Sequence, residues 1–234
     1  MLKLCRDLFS SPDDSYESAR LHAEALDQQL GLRVAEIEGA LLDLARKIMP
    51  DGSHKTWGQG LHQGNQTWVG LSHQTLQTPY NELRLLCEHL NPAANTTMVD
   101  LGAGYGRLGL VLAGLFPEVH FLGLEYVPER VLEGSRVLES LGCSRARLMI
   151  QDLAASDFSL PEAEYYFLYD FGNVSQIRRT LSQMEEMALK KNFKVIARGK
   201  GSRSLIQYEH PWLSQVYPAH HHEHFSVYSM SEFL

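Results

Sequence analysis

The chain has 234 residues, 44% hydrophobic and 21% charged, with a net charge of −7, which suits one globular domain of ordinary size with at most an appendage. No run approaches the ~18 consecutive apolar residues of a membrane span. Early charges in Met-Leu-Lys-Leu-Cys-Arg-Asp break any secretory core, and the acidic balance argues against duplex nucleic acid, which a positive footprint attracts. Cys5, Cys87 and Cys143 have no metal-ligand spacing, so reduced thiols in a cytoplasmic protein are the simplest account.

Residues 15–49 carry helical periodicity, with Leu21, Ala25, Leu26 and Leu30 before Gly31 and Val34, Ile37, Leu41 and Ala45 after it. Asp13, Asp14 and Ser15 offer N-caps. Residues 1–50 therefore read as a helical extension that covers apolar surface of the main domain; a homodimer contact and a substrate lid are the alternatives. Residues 51–77 are rich in glycine, without apolar period, and contain Trp57 and Trp68. Such a long irregular segment reads as a loop that folds over a ligand, or as a linker. Thr78 then caps a helix, with Pro79 in its first turn and Leu83, Leu86, Cys87 and Leu90 facing inward.

The informative stretch runs from Met98 to Leu110. A short apolar run ends on Asp100; Gly102, Gly104 and Gly106 follow at alternate positions; Leu108, Leu110, Val111 and Leu112 open a helix. That is a strand, a tight turn and a helix, a place where a ligand approaches the backbone closely. The glycines fit a dinucleotide fingerprint as well as a nucleoside one. Asp100 separates the two, because a carboxylate repels a pyrophosphate and attracts the methionyl ammonium of S-adenosyl-L-methionine (SAM). Two further strands end in polar groups suited to a nucleoside: one at Glu125, placed for ribose hydroxyls, and one at Gln151-Asp152, placed for an adenine edge.

Pro128 to Leu141 reads as a helix closed by Gly142. A fourth strand, Tyr165 to Tyr169, ends at Asp170-Phe171-Gly172-Asn173, a helix follows over 174–191, and a fifth strand, Phe193 to Ala197, ends at Arg198-Gly199. Repeated strand–helix alternation predicts an α/β, doubly wound, mostly parallel sheet with its ligand crevice at the strand C-termini. Beyond Gly201 the pattern is less regular: residues 204–208, 212–217 and 224–228 read as strands, leaving little room for a helix. Arg178, Arg179, Arg198, Lys200 and Arg203 fall on the crevice side and invite an anionic acceptor, a solvated rim being the alternative. His220, His221, His222 and His224 read as a polar turn, without a completed metal site.

From Thr78 onward these motifs resemble the class I SAM-dependent methyltransferases. The resemblance implies a seven-stranded Rossmann-like domain over 78–234 that uses SAM. It places Asp100, Gly102, Ala103, Gly104 and Gly106 at the methionyl part, Glu125 and Tyr126 at the ribose, Gln151 and Asp152 at the adenine, Thr78 and Tyr80 at the cofactor border, and Asp170 at the acceptor. The spacing from Thr-Pro-Tyr to Asp-Leu-Gly-Ala-Gly is similar to that of lysine methyltransferases on this fold, which favours a protein lysine or an anionic small molecule as acceptor. Asp-Phe-Gly-Asn departs from the motif of amide and exocyclic-amine methylases. An NAD-dependent oxidoreductase and a non-catalytic SAM-binding protein are the competing readings.

Overall fold

The computed structural model of the chain describes residues 3–13, 15–48, 69 and 77–230. The glycine-rich stretch read as a loop or lid lies outside the described residues, apart from Val69 and Gln77.

Two N-terminal helices, α1 (Tyr16–Leu30) and α2 (Val34–Ile48), meet at Gly31, whose φ of 83° closes α1. Ser15 caps α1 by accepting the Ser18 amide, which satisfies one of the donors a helix start leaves open. The sheet comprises β1 (Thr97–Leu101), β2 (His120–Glu125), β3 (Ala146–Ile150), β4 (Tyr165–Tyr169), β5 (Lys194–Arg198), β6 (His220–His221) and β7 (Phe225–Ser229). Its spatial order is β3-β2-β1-β4-β5-β7-β6. The first five strands are parallel, and β7 runs antiparallel between β5 and β6.

Alternation along the strands sends side chains to two cores, as a sheet covered on both faces requires. Met98, Phe121, Tyr165, Phe167 and Ile196 pack beneath α1, α3 (Tyr80–Leu90), α4 (Arg107–Leu115) and α5 (Pro128–Ser140). Val99, Leu101, Tyr166, Leu168 and Val195 pack against α6 (Val174–Ala188), α7 (Lys200–Glu209) and α8 (Pro211–Ser214). No helix among the described residues is long and apolar enough to cross a membrane.

The C-terminal region departs from the sequence reading. Residues 204–208 are helical in α7 and 212–214 in α8, while the third expected strand is β7. Leu205, Ile206 and Leu213 are buried together with Ser202, a helical spacing that β-branched and aromatic neighbours disguise. The N-terminal helices cover this chain's own domain: Ala23, Leu26 and Leu30 of α1 enter the core, and Leu41 and Ala45 of α2 pack with Val127 and Val69.

Candidate active site

The strand C-termini form a narrow crevice, lined by Gln77, Thr78, Asp100, Gly102, Arg107 and Tyr169 among others. A larger cavity of about 260 Å³ opens at the other end of the strands, between α4 and the start of β3, around Gly109, Phe121 and Cys143. Size alone does not choose the site; the chemistry gathers in the crevice.

The turn after β1 is built by backbone. Gly102 and Ala103 both donate N–H to the Leu124 carbonyl, at 2.8 and 3.0 Å, so the chain folds over the end of β2. Gly102 has φ 86°, and a Cβ there would stand 2.8 Å from Phe171 Cβ. Both facts call for glycine. Gly106, with φ 77°, starts α4. From β2, Glu125 accepts the Gly104 amide at 2.9 Å through Oε2 and the Val127 amide at 2.9 Å through Oε1.

Asp100 lies 5% exposed between these features. Among the described residues its carboxylate has no hydrogen-bond or ion-pair partner. Burial, reinforced by the negative Glu125, pushes its carboxyl up to about 8. A carboxyl displaced this far in a crevice is a candidate functional group.

Farther out, Gln151 donates to the Asp152 carbonyl at 3.1 Å, and Asp152 Oδ1 accepts the Ala154 amide at 2.8 Å. Both side chains are half-buried just beyond the end of β3, as is Tyr126 beside Glu125. Asp100, the glycine turn, Glu125 and Gln151-Asp152 thus follow the ends of three adjacent strands.

A parallel sheet in this order, ended by an antiparallel β7 and carrying a glycine turn after β1 with an acid ending β2, decides the architecture. The fold is that of the class I methyltransferases. No family model matches the chain. Ribosomal RNA small subunit methyltransferase G of Porphyromonas gingivalis is 42% identical over 60 residues, which are 26% of this chain and 27% of that protein. The chain therefore matches little more than a quarter of that relative's length. Among solved structures, an RNA methyltransferase from Salinibacter ruber in complex with S-adenosyl-L-homocysteine (SAH) is 18% identical, with a TM-score of 0.48, over 68% of this chain and 95% of that one. A SAM-dependent methyltransferase from Aquifex aeolicus is 11% identical, with a TM-score of 0.49, over 67% and 95%.

Within this class I frame, several expected site residues take other places. Tyr80 turns away from the crevice and is fully buried; its hydroxyl donates to Asp27 at 2.8 Å and its ring stacks on Phe9 at 5.8 Å. Thr78 is not the helix cap, a position that Pro79 holds, but it does line the crevice. Asp170 follows β4 as expected, yet its carboxylate accepts the Gly201 amide at 3.2 Å, the Ser202 amide at 2.7 Å and the Ser202 hydroxyl at 2.9 Å. It therefore holds the start of α7, where a helix favours an anion. A Cβ at Gly199 would lie 2.2 Å from its Oδ2.

The basic group does not converge. Arg178 forms a fork with Glu209 at 2.6 and 2.7 Å, and Arg179 donates to the Ala154 and Ser156 carbonyls. Arg198 forms a fork with Glu82 at 2.6 and 3.0 Å and stacks on Tyr169, while Arg203 donates to the His222 and Glu223 carbonyls. Lys200 is exposed. Guanidinium groups so occupied are part of the frame. His220 and His222 gather around the His89 ring at 5.5 and 4.5 Å, and no metal-holding group occurs among the described residues.

Sequence reasoning missed Asp27, Glu38, Arg107 and Arg130, all buried near the glycine turn. One signal was available: Asp27 shares a helical face with Ala23 and Leu30, and Glu38 with Val34 and Leu41. An acid on an apolar stripe needs a partner.

Proposed function

We propose that this chain transfers a methyl group from SAM, held at the ends of β1, β2 and β3, to an acceptor that enters over β4 and β5. The observation that carries the reading is Asp100, a buried carboxylate with no cationic partner among the described residues, beside a glycine turn and one strand from Glu125. A methionyl ammonium meets that charge, whereas a pyrophosphate would add to it. The donor set therefore fits SAM better than NAD.

When bound, SAM supplies the methyl group and its sulfide leaving group. Asp100 holds the amino acid end, and the Gly102–Gly104 turn lets the ligand lie against backbone. Glu125 takes the ribose hydroxyls with its remaining acceptor capacity, and Gln151 and Asp152 face the adenine edge. Transfer by in-line displacement needs chiefly alignment and exclusion of water. Asp170 contributes by fixing α7 at the acceptor side through its three hydrogen bonds.

For the acceptor, the likeness to a ribosomal RNA methyltransferase makes RNA the first class to test. Protein lysine has no such support, and the occupied arginines weaken the case for an anionic small molecule. Calorimetric titration with SAM, SAH and NAD should give micromolar binding of the two adenosyl ligands, lost in Asp100→Ala. Labelled methyl from SAM should then appear in the RNA fraction of an extract. NAD binding alone would overturn the reading.

A further inference from the structure

The cavity of about 260 Å³ at the far end of the strands takes no part in the crevice. There α4 presses on β2 at Gly109, where a Cβ would stand 2.6 Å from the Phe121 ring, and one turn later Ala113 lines the cavity with a small side chain. Leu112, Phe121 and Leu141 give it apolar walls. Leu4 packs on the same helix at Gly114, where a Cβ would stand 3.0 Å from Leu4 Cβ, and so brings Lys3 to the rim.

Charge around this cavity has one sign. The chain carries 28 acids against 21 lysines and arginines, yet among the described residues no Asp or Glu lines the cavity, and its charged residues are Lys3 and Arg145. Lys3 has no hydrogen bond or ion pair among the described residues. Arg145 makes its hydrogen bonds through Nη1, to Asn95 Oδ1 at 2.8 Å and to the Glu118 carbonyl at 2.6 Å, with His120 Nε2 at 3.3 Å from the same atom. Its Nε and Nη2 have no partner among the described residues. Burial raises the pKa of the half-buried Cys143 thiol, which therefore adds no negative charge.

We propose that this cavity is a second binding site, which takes a small amphipathic anion of the medium-chain carboxylate class. The tail lies against Leu112, Phe121 and Leu141, and the head turns to Lys3 and Arg145. Apolar walls supply burial, and cations with donors to spare supply orientation. A simple ion gains nothing from the walls, and a neutral oil gains nothing from the rim. The volume sits just below the ~300 Å³ at which pockets for drug-sized ligands begin, so the occupant is small, on the order of ten non-hydrogen atoms. This site lies apart from the crevice and stands whatever the crevice binds.

The test is NMR titration of the full chain with hexanoate, and with 1-hexanol as a ligand of the same tail without the charge. Hexanoate should shift the amide signals of residues 142–146 and saturate with a dissociation constant of about 1 mM or tighter. Hexanol should bind about tenfold more weakly, for want of one charge-assisted contact. Lys3→Glu, at an exposed residue, should weaken hexanoate about tenfold and leave hexanol unchanged. Ala113→Leu fills the cavity and should weaken both ligands at least about tenfold. Equal affinity for hexanoate and hexanol, or hexanoate binding indifferent to Lys3→Glu, would overturn the anionic class. Undiminished hexanoate binding in a folded Ala113→Leu would put the ligand elsewhere and overturn the cavity; should that variant fail to fold, Lys3→Glu and the hexanol comparison still decide. No shift at 142–146 up to about 10 mM hexanoate would overturn the site outright.

Discussion

The two halves of the crevice handle charge in opposite ways. At the ends of β1 and β2, Asp100 and Glu125 bring two buried carboxylates close together, and the Asp100 carboxyl rises to about 8. At the ends of β4 and β5, Asp170 is spent on the start of α7, Arg198 on Glu82 and Arg178 on Glu209. The unpartnered Asp100 carboxyl is what the proposed ligand's cation would meet; charge already spent marks the frame that holds it. The comparison predicts that binding depends on the first half and that the second half governs shape.

The largest effect should follow from Asp100→Asn. Losing the partner of a desolvated ammonium costs about 2 kcal/mol or more, so SAH affinity should fall about 30-fold or further. Stability should move the other way. The folded carboxyl, at about 8 against an ordinary 3.8, retains a proton that the unfolded chain releases. Its contribution to stability is therefore fully present below about pH 4. It is lost as pH rises toward 8. The amide escapes that loss, and its melting temperature should gain on wild type from pH 5 to pH 8. Unchanged affinity would break the comparison at its centre.

A pH titration of wild type sharpens the same point. Binding of an ammonium requires ionised Asp100, so SAH affinity should climb by up to about tenfold per pH unit below 8. It should level off near that pH, where Asp100 becomes fully ionised. Calorimetry between pH 6 and 9 reads the rise and the plateau, and Asp100→Asn should flatten the rise.

Local chemistry made the first half legible in the sequence. An apolar run, an acid and alternating glycines lie within a dozen residues, and a parallel, doubly wound sheet follows from repeated strand–helix units joined by right-handed crossovers. The internal networks around both halves rest on partners far apart in the chain. Arg198 and Glu82 are 116 residues apart, Arg130 and Glu38 are 92 apart, and Arg107 and Asp27 are 80 apart. Periodicity shows which face of a helix is buried but cannot say which distant charge will meet it. That is why Tyr80 was expected at the cofactor and Arg198 at an anion, when both belong to internal networks. Residues 204–208 failed for a related reason: short apolar runs fit a strand or a helix equally well, and only packing against Leu213 and the sheet decides.

Substitutions at the turn and at the frame should have smaller, separable effects. Gly102→Ala puts a side chain at φ 86° and 2.8 Å from Phe171 Cβ, at a cost of about 1–3 kcal/mol. Thermal unfolding should record a drop of roughly 2–4 °C for each kcal/mol, with weaker SAH binding because the turn itself shifts. Asp170→Asn should lower the melting temperature by a few degrees, since an amide cannot accept the Gly201 amide and both Ser202 donors as a carboxylate does. SAH affinity should hold. Methyl transfer measured below the melting temperature should fall by less than tenfold; a loss of about 100-fold or more would make Asp170 a general base after all.

The smallest effect is expected at Arg178, the residue that most invites an acceptor when only its charge is considered. Its pair with Glu209 leaves the two side chains 51% and 41% exposed, where water and salt screen most of the attraction. Arg178→Ala should shift the melting temperature by no more than about a degree, leave SAH affinity untouched and leave methyl transfer to RNA unchanged. Measured together, these readouts discriminate. A selective rise in the apparent KM for RNA at constant kcat would mean that Arg178 leaves Glu209 when the acceptor arrives. The boundary between surplus and spent charge would then have to move outward, from the strand ends to the first turns of α6.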